Sequence, residues 1–313
     1  MKLVTFKCGN TTSCGILTNS GIIYIPASID RPNPPRSVKH ILTQSTPCLN
    51  ELYVLADTAK NFVPLDRVTL LAPIPNPGKL LALAGNYRKH IIEAGKKLGL
   101  AESPRTTTVP RPFLMPDNVV SGNDAIIPWP DYSDQVDHEI ELAAVIGKTC
   151  RCVSPQQALD YVGGYTIAND ISARSVTFKE NRTPRPWDEF FDWLNGKWSD
   201  GFFPLGPCIV TADEIKNPQD LQLELKVNGE TRQNANTSEM IFTVADTVSF
   251  ISHLMTLQPG DIIATGTPEG VAMGTGKWLN PGDNIECTIE KIGTLKNKIG
   301  PKPKSLYKPL KPK

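Results

Sequence analysis

The stretch Asp137-His138-Glu139-Ile140-Glu141-Leu142-Ala143-Ala144-Val145-Ile146-Gly147 decides how the chain is read. Its apolar run argues for a strand deep in a core. Side chains two apart on a strand share a face and stand about 7 Å apart, so Glu139 and Glu141 project side by side. Two ionised carboxylates at that distance repel, and burial raises the cost. A cation between them removes both penalties. The competing reading is the solvated edge of an antiparallel sheet, with both Glu facing water. On this motif alone the two readings stand level.

The next element outward is Tyr165-Thr166-Ile167-Ala168-Asn169-Asp170-Ile171-Ser172-Ala173-Arg174. An apolar strand ends there in Asn-Asp. An acid at a strand end suits a metal ligand, and it is also a common turn residue. His138 adjoins Glu139 but points to the opposite face of a strand. Three carboxylates, Glu139, Glu141 and Asp170, with no Cys or His on their side suit a hard cation. Mg²⁺ or Mn²⁺ keeps positions open for water and substrate, and zinc fits less well.

Three further phrases carry chemistry. In Gly85-Asn86-Tyr87-Arg88-Lys89-His90-Ile91-Ile92-Glu93, His90 and Glu93 share a helix face, and Glu93 could orient His90 as a general base for water. The alternative is a surface ion pair. Around Gly196-Lys197-Trp198, a lysine flanked by glycine and aromatics could approach an oxyanion, or lay its stem on aromatic surface with its head in water. Thr265-Gly266-Thr267-Pro268 follows a strand. Its small residues admit a ligand to the backbone, and Thr267 offers a hydroxyl, although a plain loop reads the same way.

The whole chain sets the frame. Its 313 residues are 40% hydrophobic and 21% charged with a formal net charge of +1, so no basic field recruits nucleic acid or an anionic membrane, and a small-molecule partner is expected. The longest apolar runs are too short to span a bilayer. The first eight residues are broken by polar side chains and do not read as a secretory signal, and the seven scattered cysteines suit a reducing, cytoplasmic setting as free thiols. Residues 1–72 read as a small β-rich domain containing a hairpin, Gly15 to Ile25, around Asn19-Ser20-Gly21, with a helix near Cys48 to Ala59. Pro73-Ile74-Pro75-Asn76-Pro77-Gly78 marks a boundary. Residues 78–299 form the larger domain. Its strands are expected at Lys79–Ala84, Ala125–Ile127, Ile140–Ile146, Gly164–Ala168, Cys208–Thr211, Leu221–Val227, Asp261–Ala264 and Asn284–Ile289. Helices fit Tyr87 to Leu98, Ser154–Val162, with Ser154 as cap, and Val244–Met255. Residues 300–313, with five lysines and four prolines, read as an extended basic tail. Strands outnumber helices without strict alternation, which predicts an α+β, β-rich fold rather than a doubly wound sheet. The segment from Tyr87 to Val109 is expected to act as a mobile lid.

Together these phrases resemble the fumarylacetoacetate hydrolase family over roughly Lys79 to Ile299. The resemblance rests on Asn86-Tyr87 with His90 and Glu93, Glu139-x-Glu141, Asn169-Asp170 with Arg174, Gly196-Lys197 ahead of Pro204-Leu205-Gly206-Pro207, and Pro259-Gly260-Asp261 running into Gly266-Thr267-Pro268. It implies a mixed β-roll, a Mg²⁺ or Mn²⁺ ion on Glu139, Glu141 and Asp170, and a homodimer. It also implies catalytic His90, Glu93 and Lys197, and substrate contacts at Arg174, Gly266 and Thr267. The implied reaction is C–C bond cleavage of a 2-oxo or diketo acid, by hydrolysis or decarboxylation through a metal-stabilised enolate. Isomerisation or hydration of a dienedioate is the alternative, and an inactive metal-binding homologue is the alternative of another class. The chain departs from the family pattern at Met115, where many relatives carry lysine, at Gly201, where many carry threonine, and in the aromatic insert Lys179–Asn195. All three are expected near a pocket wall or a second carboxylate anchor.

Overall fold

The computed structural model describes residues 1–30, 32–44, 46–98, 107–176 and 182–308. The strand Ile140–Ile146 lies inside the larger sheet, paired antiparallel to Val162–Asn169 on one side and to Ile262–Ala264 on the other. All seven of its residues are buried because both faces are covered. Ile140, Leu142, Ala144 and Ile146 enter one apolar core, while Ala143 and Val145 enter a second. A strand buried on both faces reads as an unbroken apolar run. The solvated-edge reading of Glu139 and Glu141 therefore falls.

The main path of this sheet runs Gly21–Tyr24, Thr11–Thr18, Lys2–Cys8, Phe203–Thr211, Val162–Asn169, Ile140–Ile146, Ile262–Ala264, Leu80–Leu83, Pro112–Met115. The expected hairpin is present, with its turn at Asn19-Ser20. The first strand joins it to the rest of the sheet through Leu3 opposite Ile209. A second sheet of five strands contains Gln222–Val227, Glu230–Asn236, Asn284–Ile289 and Gly293–Ile299. With few helices among many strands, the chain is α+β and β-rich, as the sequence predicts.

The helix Val244–Leu254 begins with a capping box in which Thr243 and Asp246 satisfy each other's backbone amides. Ser154 does not cap its helix as expected. Its hydroxyl bonds the Gln157 side chain, and the helix shrinks to Pro155–Ala158 followed by a 3₁₀ turn. The helix Arg88–Leu98 forms, but residues 99–106 of the expected lid and 179–181 of the aromatic insert lie outside the described residues. No described helix is long and apolar enough to cross a membrane. The tail touches the body where Lys302 lies 4.9 Å from the centre of the Trp129 ring, and residues 309–313 lie outside the described residues.

Candidate active site

Strand register brings the acids together. Ile140 stands opposite Asn169 and Glu141 opposite Ala168, and the pairing continues as Asp170 N–H donates to the Glu139 carbonyl at 2.9 Å. Asn169 braces the crossing by accepting the Glu139 amide at 2.9 Å. One carboxylate oxygen each from Glu139, Glu141 and Asp170 then lie within 4.8 Å of one another, all three residues buried. Glu141 is anchored by the Gly266 amide at 2.7 Å. Gly266 has φ +87°, and a Cβ there would come within 2.8 Å of the Asn86 Cβ, so only glycine delivers that amide. Its amide is thus spent on Glu141 and is not free for a substrate. Asn86 ties the same loop by donating to the Thr265 carbonyl at 2.7 Å.

Lys197 lies in the middle of the acids, 1% exposed. Its ammonium donates to Asp170 at 2.6 Å, Ser172 at 2.9 Å and Glu139 at 3.2 Å. The reading with its head in water is overturned. Gly196 is the cause: a Cβ there would sit 2.2 Å from the Ala173 carbonyl oxygen, and that close approach drops the next residue into the core. The lysine is roofed by Trp193 and Phe113, whose ring centres lie 5.2 and 5.6 Å from Nζ. Arg174 completes the cations, bonding Glu139 and, at 3.2 Å, Asp137.

Four buried acids, Asp137, Glu139, Glu141 and Asp170, therefore face two cations. Burial drives the Glu139 carboxyl up, but Lys197 and Arg174 outweigh it and hold it at about 2. Burial, with Asp170 and Glu139 close by, pushes Glu141 well above the ordinary carboxylate range. Burial likewise raises Asp170 to about 6 against the pull of Lys197. For Glu141 the pull of Lys197 is outweighed by burial and the neighbouring carboxylates, a condition that a divalent cation relieves. Asp170 Oδ1 is buried with no hydrogen-bond partner among the described residues. An all-oxygen, all-carboxylate set with an orphaned oxygen fits Mg²⁺ or Mn²⁺.

His90 lines the same cavity, about 80 Å³, with Glu139, Asp170, Arg174, Lys197 and Thr267. Its Nδ1 is buried and has no partner among the described residues. Burial lowers the imidazole below its ordinary value, so it is neutral at pH 7. Glu93 is one turn along the helix but does not bond His90. Its carboxylate accepts the Gly270 amide at 2.9 Å instead, a correction to the expected pairing. Thr267 reaches the cavity with its hydroxyl held by Gln233 at 2.9 Å. His138 is buried away from the cavity with both ring nitrogens unpartnered among the described residues.

Sequence reasoning missed Asp137 and Gln233. Asp137 accepts the amides of His138, Ala272 and Met273 as well as the Arg174 guanidinium, fixing both the arginine and the loop that follows Gly270. Its signal was present: Asp137, Glu139 and Glu141 alternate at strand spacing. Gln233 accepts the Ile140 amide at 3.0 Å and holds Thr267, from a strand with no distinguishing pattern. Met115 is buried in the second core, and Gly201 packs near Pro128 and Ser121, so neither departure lines the cavity. The aromatic insert does reach it, through Trp193. A larger cavity of about 700 Å³, lined by Met1, Leu17 and Lys291 among others, lies away from these acids.

Comparison with known proteins agrees with this geometry. Residues 79–300 match the family profile described as fumarylacetoacetate (FAA) hydrolase, C-terminal. A fumarylacetoacetate hydrolase domain-containing protein 2 homolog of Dictyostelium discoideum is 37% identical over 296 residues, covering 91% of each chain. An oxaloacetate tautomerase of Bacillus subtilis is 41% identical over 239 residues, 75% of this chain and 74% of its own. The crystal structure of a 5-carboxymethyl-2-hydroxymuconate delta-isomerase from Mycobacterium smegmatis superposes with a TM-score of 0.71 at 32% identity, covering 96% of this chain and all of that one.

Proposed function

Because the chain belongs to the fumarylacetoacetate hydrolase family, we propose that it is a Mg²⁺- or Mn²⁺-dependent enzyme that interconverts the keto and enol forms of a 2-oxo acid. The observation that carries this reading is a neutral His90 whose buried Nδ1 has no partner among the described residues, lining a cavity with the buried acids while Glu93 is engaged elsewhere. Proton transfer needs one base, whereas hydrolysis also needs a positioned water. The relatives named as a tautomerase and an isomerase support the same choice.

Glu139, Glu141 and Asp170 would hold the cation. When bound, it supplies Lewis acidity to the carboxylate and keto oxygens of the substrate. His90 takes the proton from the carbon next to the keto group at Nδ1 and returns it to oxygen. Lys197, its three N–H donors already taken by Asp170, Ser172 and Glu139, would hold its positive charge beside the oxygen that gains charge, and the guanidinium of Arg174, whose Nη1 has no partner among the described residues, would face the substrate carboxylate. Thr267 orients the bound acid through its hydroxyl. Cleavage of a C–C bond in a diketo acid is the second reading. It is supported by the two cations, Lys197 and Arg174, which would neutralise a departing enolate.

The test is an ultraviolet assay of oxaloacetate enol–ketone interconversion with Mg²⁺ or Mn²⁺, run beside acylpyruvate cleavage, on the parent and on Asp170→Ala. Metal-dependent acceleration of the first, lost in the variant along with calorimetric metal binding, is expected. Equal rates with and without protein in both assays would overturn the proposal.

A further inference from the structure

Beside the 80 Å³ cavity lies a second, open one of about 440 Å³. The two share Ala84, Phe113 and Trp193 in their linings, so they adjoin at two aromatic rings. Those rings meet edge to face, 4.9 Å between centres at 70°. Phe190 extends the aromatic wall, its ring centre 5.9 Å from that of Trp193. Both come from the helix Asp188–Asn195, the described part of the aromatic insert. Phe190 is 47% exposed, an apolar ring presented to the cavity rather than spent in a core. Among the described residues, the charged side chains of the lining are Arg111 and Glu189, of opposite sign, which together offer no net charge to a second carboxylate.

We propose that this annex is a distal subsite for an uncharged aryl or branched-alkyl group of the substrate. The inference rests on the 2-oxo acid reading of the acid cluster and narrows its substrate class. The inner cavity would take a small 2-oxo acid, oxaloacetate included, and the tail of a longer substrate would lie past Phe113 and Trp193. A planar apolar tail gains ring contacts there and shields the lining from water. A carboxylate tail would be desolvated against aromatic faces, with Arg111 already offset by Glu189. Keto–enol exchange of an arylpyruvate needs no further reagent: a C3–H bond breaks, an O–H bond forms, and the same proton is conserved.

The test is calorimetry on the Mn²⁺-loaded full chain with four probes: oxalate and pyruvate as heads, phenylpyruvate as an apolar-tailed acid, and 2-oxoglutarate as a charged-tailed one. Phenylpyruvate is expected to bind about ten- to a hundredfold tighter than pyruvate, the range for burying one aromatic ring, with no comparable gain for 2-oxoglutarate. Phe190→Asp should cut the phenylpyruvate-to-oxalate affinity ratio about tenfold, and Phe190→Leu should preserve it, which separates loss of apolar lining from loss of fold. Oxalate binding without a gain for phenylpyruvate overturns the subsite and leaves the proposed function standing. A gain for 2-oxoglutarate that Arg111→Ala abolishes also overturns it, in favour of a charged tail. Failure of oxalate itself to bind overturns the proposed function, and the subsite with it.

Discussion

Lys197→Met should make the metal-stripped protein less stable and its metal affinity higher, an opposed pair of effects that only a lysine standing in for a cation produces. Methionine fills similar volume but removes the ammonium that Asp170, Glu139 and Ser172 share. Breaking one side of a buried ion pair costs about 3–5 kcal/mol, because charge is left uncompensated. Unfolding entropy for a chain of this length is roughly 0.7 kcal/mol per degree, so the melting temperature should fall by about 4–7 °C. Proton uptake by Asp170 and Glu141, whose carboxyls burial already raises, sets the lower end of that range. Adding Mn²⁺ at a hundred times its dissociation constant should return about 2.7 kcal/mol, half or more of the loss. The dissociation constant itself should tighten by about tenfold or more, since a positive charge within hydrogen-bond reach of two proposed ligands is gone. Scanning calorimetry with EDTA, then with Mn²⁺, and titration at pH 7.5 read these quantities. An unchanged melting temperature after stripping, or weaker metal binding, would refute the argument that Lys197 balances this cluster.

Two further outcomes are expected. His90→Ala should lower turnover by roughly 10²–10⁴-fold, the usual loss of a general base, with metal affinity nearly unchanged. In the parent, burial favours neutral His90, so its folded value lies below the ordinary 6.5. Its contribution to stability is full above 6.5 and is lost as pH falls toward the folded value, and a kcat–pH profile should fall only on the acid side of 6.5. Among the thiols, burial pushes Cys14 up to about 12 and Cys208 to about 11, whereas Cys8 and Cys152 are exposed. Iodoacetamide on the folded protein at pH 8 should therefore modify Cys8 and Cys152 and spare Cys14 and Cys208, as peptide mass mapping would show; prompt labelling of Cys14 would contradict the fold of the first hairpin.

The acid triad was legible because strand geometry has a period of two and strand ends expose their last residue. Glu139, Glu141 and Asp170 follow from those two facts once the apolar run is placed in a core. The fate of Lys197 was not legible, because it turns on one close contact between Gly196 and the Ala173 carbonyl, and such a contact leaves no periodicity. Helical spacing correctly put Glu93 one turn from His90, but its partner is a backbone amide 177 residues away. Local spacing says which face a side chain shares and nothing about a distant donor that competes for it. Ser154 misled for a similar reason: its hydroxyl found Gln157 before the helix needed a cap. The aromatic insert was recognised as unusual, yet only its folding beside Phe113 shows that two of its rings line a cavity.

The second core contains Leu3, Ile16, Ile23 and Ile25 from the first hairpin region together with Leu80, Ala143, Ile209 and Ile262 from the strands around the acids. The two parts of the chain are thus halves of one oily interior, like two hands closed on the same object. A fragment beginning near residue 79, where the family match begins, would take Leu3, Ile16, Ile23 and Ile25 out of the core that holds Ala143 and Ile262. It would also strip Lys2–Cys8 from Phe203–Thr211 and leave part of that strand's hydrogen-bonding edge bare, free to zip onto another copy. The first seventy residues supply none of the proposed catalytic groups, yet they cover apolar surface and a strand edge of the sheet that carries the acids.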